Sequence, residues 1–182
     1  KNNATLQNSP GFSSTNAGIF TFDGTNQRAF ISNNDSFNFS DVVSLSSWFN
    51  FNSLPASELG LFRKTNQWQL GLQNSNTIRC LIKTNGTTGW IEANDQNYTF
   101  VTGNWYNMTM TYDGSYMRIY VNGVLVKTAT VTGSIITNSN NIQIGYHSAH
   151  LNGHLSNCAI YNSTLSTEEI KRNYNATKWR FQ

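Results

Sequence analysis

Residues 105–133 read WYNMTMTYDGSYMRIYVNGVLVKTATVTG. Met108, Met110 and Tyr112 alternate with Asn107, Thr109 and Thr111, and Trp105 reads as the start of the same apolar set. Alternation with a period of two is the mark of a strand buried on one face. Asp113-Gly114 breaks the pattern, 117–121 resumes it, Asn122-Gly123 breaks it again, and 124–131 forms a third run. Asp-Gly and Asn-Gly supply the positive φ of tight primed turns, whose twist matches that of the flanking strands. The stretch therefore predicts a three-stranded antiparallel meander.

The rest of the chain reads outward from that meander. Strand-like runs are predicted at 18–22, 28–32, 42–51, 59–63, 67–72, 77–83, 88–93, 141–145 and 155–161, with turn-forming residues between them. Loops are expected at 33–40, 94–103 and 147–153. Ser166-Thr167-Glu168-Glu169 has the form of a capping box, which starts a short helix running to about residue 173. Many short strands, even turn spacing and one terminal helix indicate an all-β sandwich or barrel. The 182 residues suffice for one domain with a full core. Residues 1–17 are polar and read as an extended leader lying on the domain, and 18–182 as the single domain itself.

Charged residues make up only 12% of the chain, against about 25% in ordinary globular domains. Asn alone contributes 27 residues, so the surface is expected to be polar but largely uncharged. The net charge of +3 is small, and Lys171, Arg172, Lys178 and Arg180 crowd the C-terminus as a solvated helix face. These features argue against a nucleic-acid partner. No run is long and apolar enough for membrane insertion. The chain begins at Lys1, which is expected of a processed product or part of a longer protein. Cys80 and Cys158 lie on apolar strand registers and read as buried thiols rather than a bridge.

Several quoted pieces resemble one family. Trp105 leading into Thr111-Tyr112-Asp113-Gly114, then Arg118-Ile119-Tyr120-Val121-Asn122-Gly123, is similar to the laminin G-like jelly rolls of the concanavalin A-like lectin and glucanase superfamily. Phe22-Asp23-Gly24, Leu45-Ser46-Ser47-Trp48, Ile142-Gln143-Ile144-Gly145 and the segment 153–170 resemble other parts of its pattern in order. The resemblance implies a jelly-roll β-sandwich of two antiparallel sheets with one short C-terminal helix. It implies modules that bind glycans, proteins or other surfaces, with Trp48 and Trp105 at core positions. It also implies a calcium ion near the first turn and last strand. Here Asp23 keeps one of those positions, and Ser156 stands where such members place an Asp. Calcium at Asp23 and Ser156 is thus the one cofactor expected, although calcium seeks several oxygen ligands including carboxylates. The tail 169–181 resembles the ending of such domains in structural proteins of marine phages and other viruses.

Catalysis is not expected. Glycanases of this superfamily carry paired carboxylates at alternate strand positions. None of the nine acidic residues here makes that pattern, and Glu92 and Asp95 come nearest. His147, His150 and His154 are spaced like metal ligands, yet their loop offers no Cys or carboxylate to complete a site. Aromatic rings that stack on sugar faces, with polar neighbours for the hydroxyls, point to Trp68, Trp90, Tyr98 and Tyr146 as ligand-binding residues, joined by His147 and His150. The expected function is a non-catalytic lectin-like adhesion module on a virion surface or in the extracellular space. Its partners would be glycans or a host surface, and virion structural proteins. The alternatives are a purely structural virion decoration protein and a divergent glycan hydrolase.

Overall fold

A computed structural model describes residues 3–75, 77–86, 90–95 and 98–181, with the side chains of residues 17 and 90–95 outside the description. Among the described residues, fourteen strands build two antiparallel seven-stranded sheets. The first sheet runs in the order β1 (Ala4–Gln7), β4 (Arg28–Ile31), β13 (Ile142–Ile144), β6 (Leu59–Lys64), β7 (Trp68–Asn74), β8 (Thr77–Lys83) and β9 (Trp90–Asp95). The second runs β12 (Val124–Thr130), β11 (Tyr116–Val121), β10 (Trp105–Tyr112), β5 (Val43–Phe51), β14 (Asn152–Tyr161), β3 (Ile19–Asp23) and β2 (Gly11–Ser13). The chain crosses repeatedly between sheets, as in a jelly roll.

The meander forms as predicted, as β10, β11 and β12. Asn122 and Gly123 both hold positive φ (51° and 76°), the requirement of a type I′ turn. At the other turn, Asp113 Oδ1 accepts from the backbone N–H groups of Ser115 (2.9 Å) and Tyr116 (2.6 Å). Tyr106, Met108, Met110 and Tyr112 fill the space between the sheets. Trp105 stands on the opposite face, one step out of the register read from sequence, where its ring lies 4.7 Å from Phe181. Trp48 is likewise buried outside the inter-sheet core. It lies beneath the C-terminal helix, stacking on Tyr174 (5.5 Å) and Phe181 (4.5 Å). The family core positions assigned to Trp48 and Trp105 are thus helix-docking positions.

The segment read as a leader is woven into the sandwich. β1 pairs with β4 and β2 with β3, one at an edge of each sheet. Edge strands need little apolar alternation, since only one side is paired and much of the segment stays exposed. The helix α1 (Thr167–Thr177) starts at the capping box: Ser166 Oγ accepts from Glu169 N–H (3.2 Å) while Glu169 Oε2 accepts from Ser166 N–H (2.9 Å). It continues one turn beyond the predicted end and buries Ile170 against the second sheet.

The two cysteines are free, Cys80 in the first sheet and Cys158 in the second. Burial pushes the Cys80 thiol up to about 12 and Cys158 to about 11, so both stay protonated and unreactive at neutral pH.

Gly153 opens β14 with φ 151°, and a Cβ there would lie 2.1 Å from the Asn50 carbonyl oxygen. β14 and β5 can therefore approach only because this position lacks a side chain. Gly153→Ala should cost about 1–3 kcal/mol or more, the range for enforced backbone strain. Urea unfolding would register this as a lowered midpoint at unchanged slope.

Candidate ligand-binding face

The outward face of the first sheet is set by register. Phe30 lies opposite Gln143, Gln143 opposite Arg63, Arg63 opposite Gln69, and Gln69 opposite Leu81. Directly opposed side chains on one face meet at about 5 Å between Cβ atoms, so this row runs from the partly exposed Phe30, Gln143 and Arg63 to the buried Gln69 and Leu81.

A clipped loop lies beside the row. After β13, Gly145 turns the chain at φ 75° and its carbonyl accepts from Leu151 N–H (2.9 Å). Ser148 and Ala149 both donate to the Glu58 carbonyl (3.1 and 2.9 Å), tying the loop to the start of β6. Tyr146 and His150 are thereby paired across the loop, with ring centroids 4.5 Å apart. The Arg28 guanidinium lies over the Tyr146 ring at 4.9 Å, while its Nε donates to Gln7 Oε1. This cation–π geometry holds the aromatic ring flat beside a fixed charge.

Arg28 and His150 each line a cavity. One, of about 190 Å³, is lined by Arg28, Phe30 and Gln143 with Gln7 and Asn141. The other, of about 340 Å³, contains His150 together with Asp23, Asn152, Ser148, Ser53 and Ser57. Asp23 and Asn152 face each other across β3 and β14, and Gly24 makes that approach possible, since a Cβ there would sit 2.7 Å from Asn152 Cβ. The linings carry hydroxyl and amide groups and one carboxylate, Asp23.

The Glu58 carboxylate gathers the nearby charges. Glu58 accepts from Gln69 Nε2 (2.9 Å) and pairs with Arg79 Nη1 (3.0 Å), and His147 Nδ1 lies 3.7 Å from the same carboxylate. The Arg63 stem packs over Gly60, and its Nε is buried without a hydrogen-bond partner. Burial lowers the Arg63 pKa, opposed by Glu58 and then Tyr146, yet a guanidinium remains charged at any physiological pH.

His147, His150 and His154 all sit below the ordinary imidazole value of 6.5, with burial the largest cause for each. Arg63 adds to the shift at His147, and Arg28 at His150. The folded state therefore holds fewer protons than the unfolded chain at mildly acidic pH. Their contribution to stability is complete above the unfolded value of about 6.5, and it declines as pH falls through that value toward the depressed folded values. Melting temperatures recorded between about pH 7.5 and about pH 5 should fall, and His150→Gln should flatten part of that fall.

The structure brings together only part of the predicted site. Tyr146, His147 and His150 do share one loop, as expected. Trp68 does not join them. It is 0% exposed, points into the core against Phe62 (5.4 Å), and cannot touch a ligand. Its flanking Gln67 and Gln69 suggested a polar surface, but both are themselves buried, and Gln69 is satisfied by Glu58. Tyr98 is half-buried in a separate aromatic cluster with Phe100 (4.7 Å) and Tyr106 (6.3 Å). Trp90 begins β9, and its side chain lies outside the described residues, as do those of Glu92 and Asp95. His154 belongs to the second sheet, where Nδ1 lies 3.0 Å from Thr21 Oγ1, so the three histidines do not converge.

The expected calcium pair is not assembled either. Asp23 pairs with Asn152 and Ser156 lies four residues further along β14, which at about 3.3 Å per residue separates them by roughly 13 Å. Ser156 Oγ donates to the Gly18 carbonyl (2.7 Å), and Asp23 Oδ1 accepts from Thr25 N–H (2.8 Å). These residues do not fit a shared calcium ion, and no cluster of three or more His, Cys, Asp or Glu occurs among the described residues. The signal missed in sequence was Arg28, Arg63, Glu58 and Asn152. Glu58 and Arg63 bracket one strand, and only strand order places Arg28 and Asn152 near them.

A family model described as the concanavalin A-like lectin/glucanases superfamily matches residues 23–171. The chain belongs to this superfamily. The sandwich and its terminal helix agree with that membership. No curated protein sequence matches significantly. Among solved structures, the receptor-binding domain of botulinum neurotoxin C/D mosaic serotype superposes with a TM-score of 0.78 at 16% identity, covering 96% of this chain and 46% of that one. The binding domain of Paraclostridial Mosquitocidal Protein 1 gives 0.76 at 16% identity, covering 96% and 47%. The binding domain of botulinum neurotoxin DC in complex with SialylT gives 0.75 at 16% identity, covering 97% and 47%. The chain thus spans about half the length of these neighbours, and at such identity the likeness is one of fold. No helix among the described residues is long and apolar enough to cross a membrane.

Proposed function

We propose that this domain is a non-catalytic, lectin-like module that binds glycans through the Tyr146–His150 stack and the cavities that His150 and Arg28 line. The observation that carries this reading is that stack itself: an aromatic pair held by Arg28, with His150 in the lining of a cavity that also has Asp23, Asn152 and Ser148, and Arg28 in the lining of one that also has Gln143. A sugar ring offers an apolar C–H face to an aromatic plane and hydroxyls to carboxylate, amide and hydroxyl groups. Membership of a lectin-bearing superfamily supports the reading, as do neighbours described as binding domains, one of them in complex with SialylT. The non-catalytic part rests on the sequence, in which no two of the nine acidic residues have the alternate strand spacing of the superfamily's glycanases.

A glycan array probed with the labelled chain, in calcium and in chelator, tests this directly. Binding to a defined set of glycans, equal in both conditions, is expected, since the geometry supplies no calcium site at Asp23 and Ser156. Absence of binding in both conditions would sink the lectin reading.

We further propose display on a virion surface or in the extracellular space, with virion structural proteins as docking partners in the first case. The support is the resemblance of the 169–181 tail, together with Trp179, which is 67% exposed beside Lys178 and Arg180. Truncation after Asn173 should then reduce incorporation into particles, and unchanged incorporation would remove the virion setting.

A further inference from the structure

The second sheet carries a cavity that none of the above uses. The outward residues of its central strands, Ser46, Asn107 and Thr109, form a floor, and α1 crosses above it. The enclosed volume is about 290 Å³, near the lower end of ligand pockets at roughly 300 Å³. Asn157 and Tyr161 line it from β14, and Asn173 and Tyr174 from the helix.

The floor is ordered in advance. Ser46 Oγ lies 2.9 Å from Thr109 Oγ1, Asn107 Nδ2 donates to Ser46 Oγ (3.3 Å), and Thr109 Oγ1 donates to Asn107 Oδ1 (3.4 Å). Each hydroxyl oxygen keeps acceptor capacity beyond these bonds. The walls differ, because among the described residues nothing hydrogen-bonds the carboxamides of Asn157 and Asn173, and only the Asn173 backbone carbonyl is engaged, by Thr177. Asn157 also sits at φ 48° within the irregularity that interrupts β14 between Ser156 and Ala159. Such bulges re-aim side chains, and Asn is one of the few non-glycine residues that adopts the left-handed region readily. None of the residues lining the cavity is Asp, Glu, Lys, Arg or His, and the Cys158 thiol in its wall stays protonated at neutral pH.

We propose that this cavity is a second carbohydrate subsite that takes a neutral monosaccharide unit, with the Asn157 and Asn173 carboxamides binding its hydroxyls. An uncharged lining gives no compensation for burying a carboxylate, whereas two free amides, hydroxyls and tyrosine rings suit a polyol. The subsite stands apart from the Tyr146 stack, which lies beside the other sheet.

The Trp48 indole N–H, which donates to Thr177 Oγ1 (3.2 Å) at the cavity wall, is a built-in reporter. The full chain is titrated with the methyl glycosides of glucose, galactose, mannose and N-acetylglucosamine, and with methyl glucuronide, while amide and indole N–H resonances are followed. At least one neutral glycoside should shift Trp48 and Asn173 saturably, and methyl glucuronide should not. An Asn157→Gly/Asn173→Ala double variant, which keeps the positive φ and removes no internal hydrogen bond, should bind at least tenfold more weakly at an unchanged melting temperature. Tyr146→Ala should leave the shift in place even if it abolishes binding at the other site. No saturable shift from any neutral glycoside, a shift retained in the double variant, a stronger response to the glucuronide, or loss of the shift in Tyr146→Ala would each overturn the assignment.

Discussion

Replacing Trp68 by alanine should destabilise the domain by about 3–5 kcal/mol, the range for removing a large aromatic side chain from a packed core. Trp68 is completely buried and shares the core with Phe62, Leu70 and Ile82. Nothing polar is lost with the indole, because its Nε1 has no partner. The cost therefore comes from lost apolar burial and from the cavity left behind. Trp68→Phe should recover much of the stability by filling part of that space. Chemical unfolding of both variants measures the effect, and glycan binding by folded Trp68→Phe should match that of the parent chain. A Trp68→Phe variant that stayed stable but lost binding would return Trp68 to the site from which its burial removes it.

The opposite split is expected at Tyr146. Tyr146→Ala removes the ring that Arg28 covers and His150 stacks against, at a half-buried loop position outside the core. Affinity for a recognised glycan should fall at least tenfold, about 1.4 kcal/mol, as for a central aromatic contact in a binding site. Stability should change little, since the loop is held by backbone bonds from Ser148 and Ala149 to Glu58 and from Leu151 to Gly145. Tyr146→Phe, which keeps the ring, should retain most of the affinity. Calorimetric titration of the three proteins separates these outcomes from a general loss of fold.

The two tryptophan misreadings show where sequence reading stops. Alternation at Met108, Met110 and Tyr112, and the Asn122-Gly123 turn, were legible because a strand's period and a turn's φ are local properties. Trp105 was placed on the wrong face because a strand's first residue can be assigned to either side when its neighbour, Tyr106, is also aromatic. Trp68 looked exposed because Gln67 and Gln69 flank it. Both glutamines are buried, Gln69 by bonding Glu58 from another strand, and such a partner is invisible along the chain. β1 and β2 were missed because edge strands carry no apolar stripe, and Leu6 and Phe12 remain exposed.

The site was legible in the same uneven way. Tyr146, His147 and His150 stood out as aromatic and polar groups on one loop, and the loop does gather them. Arg28, Arg63, Glu58 and Asn152 come from three strands or their ends, and only the order β4-β13-β6 and the β14–β3 pairing bring them alongside. Asp23 and Ser156 were read as one pair for a related reason. Two positions matched by motif lie at different heights on one strand pair, and spacing in sequence did not reveal that Ser156 is committed to Gly18.

Glycan binding at the Tyr146–His150 stack is tested by a resonance map of the domain with the strongest binder from the glycan array. Saturable shifts centred on Arg28, Tyr146, His150 and Asn152 are expected, and they should disappear in Tyr146→Ala. Saturable binding that leaves those four residues unmoved would contradict binding at the stack.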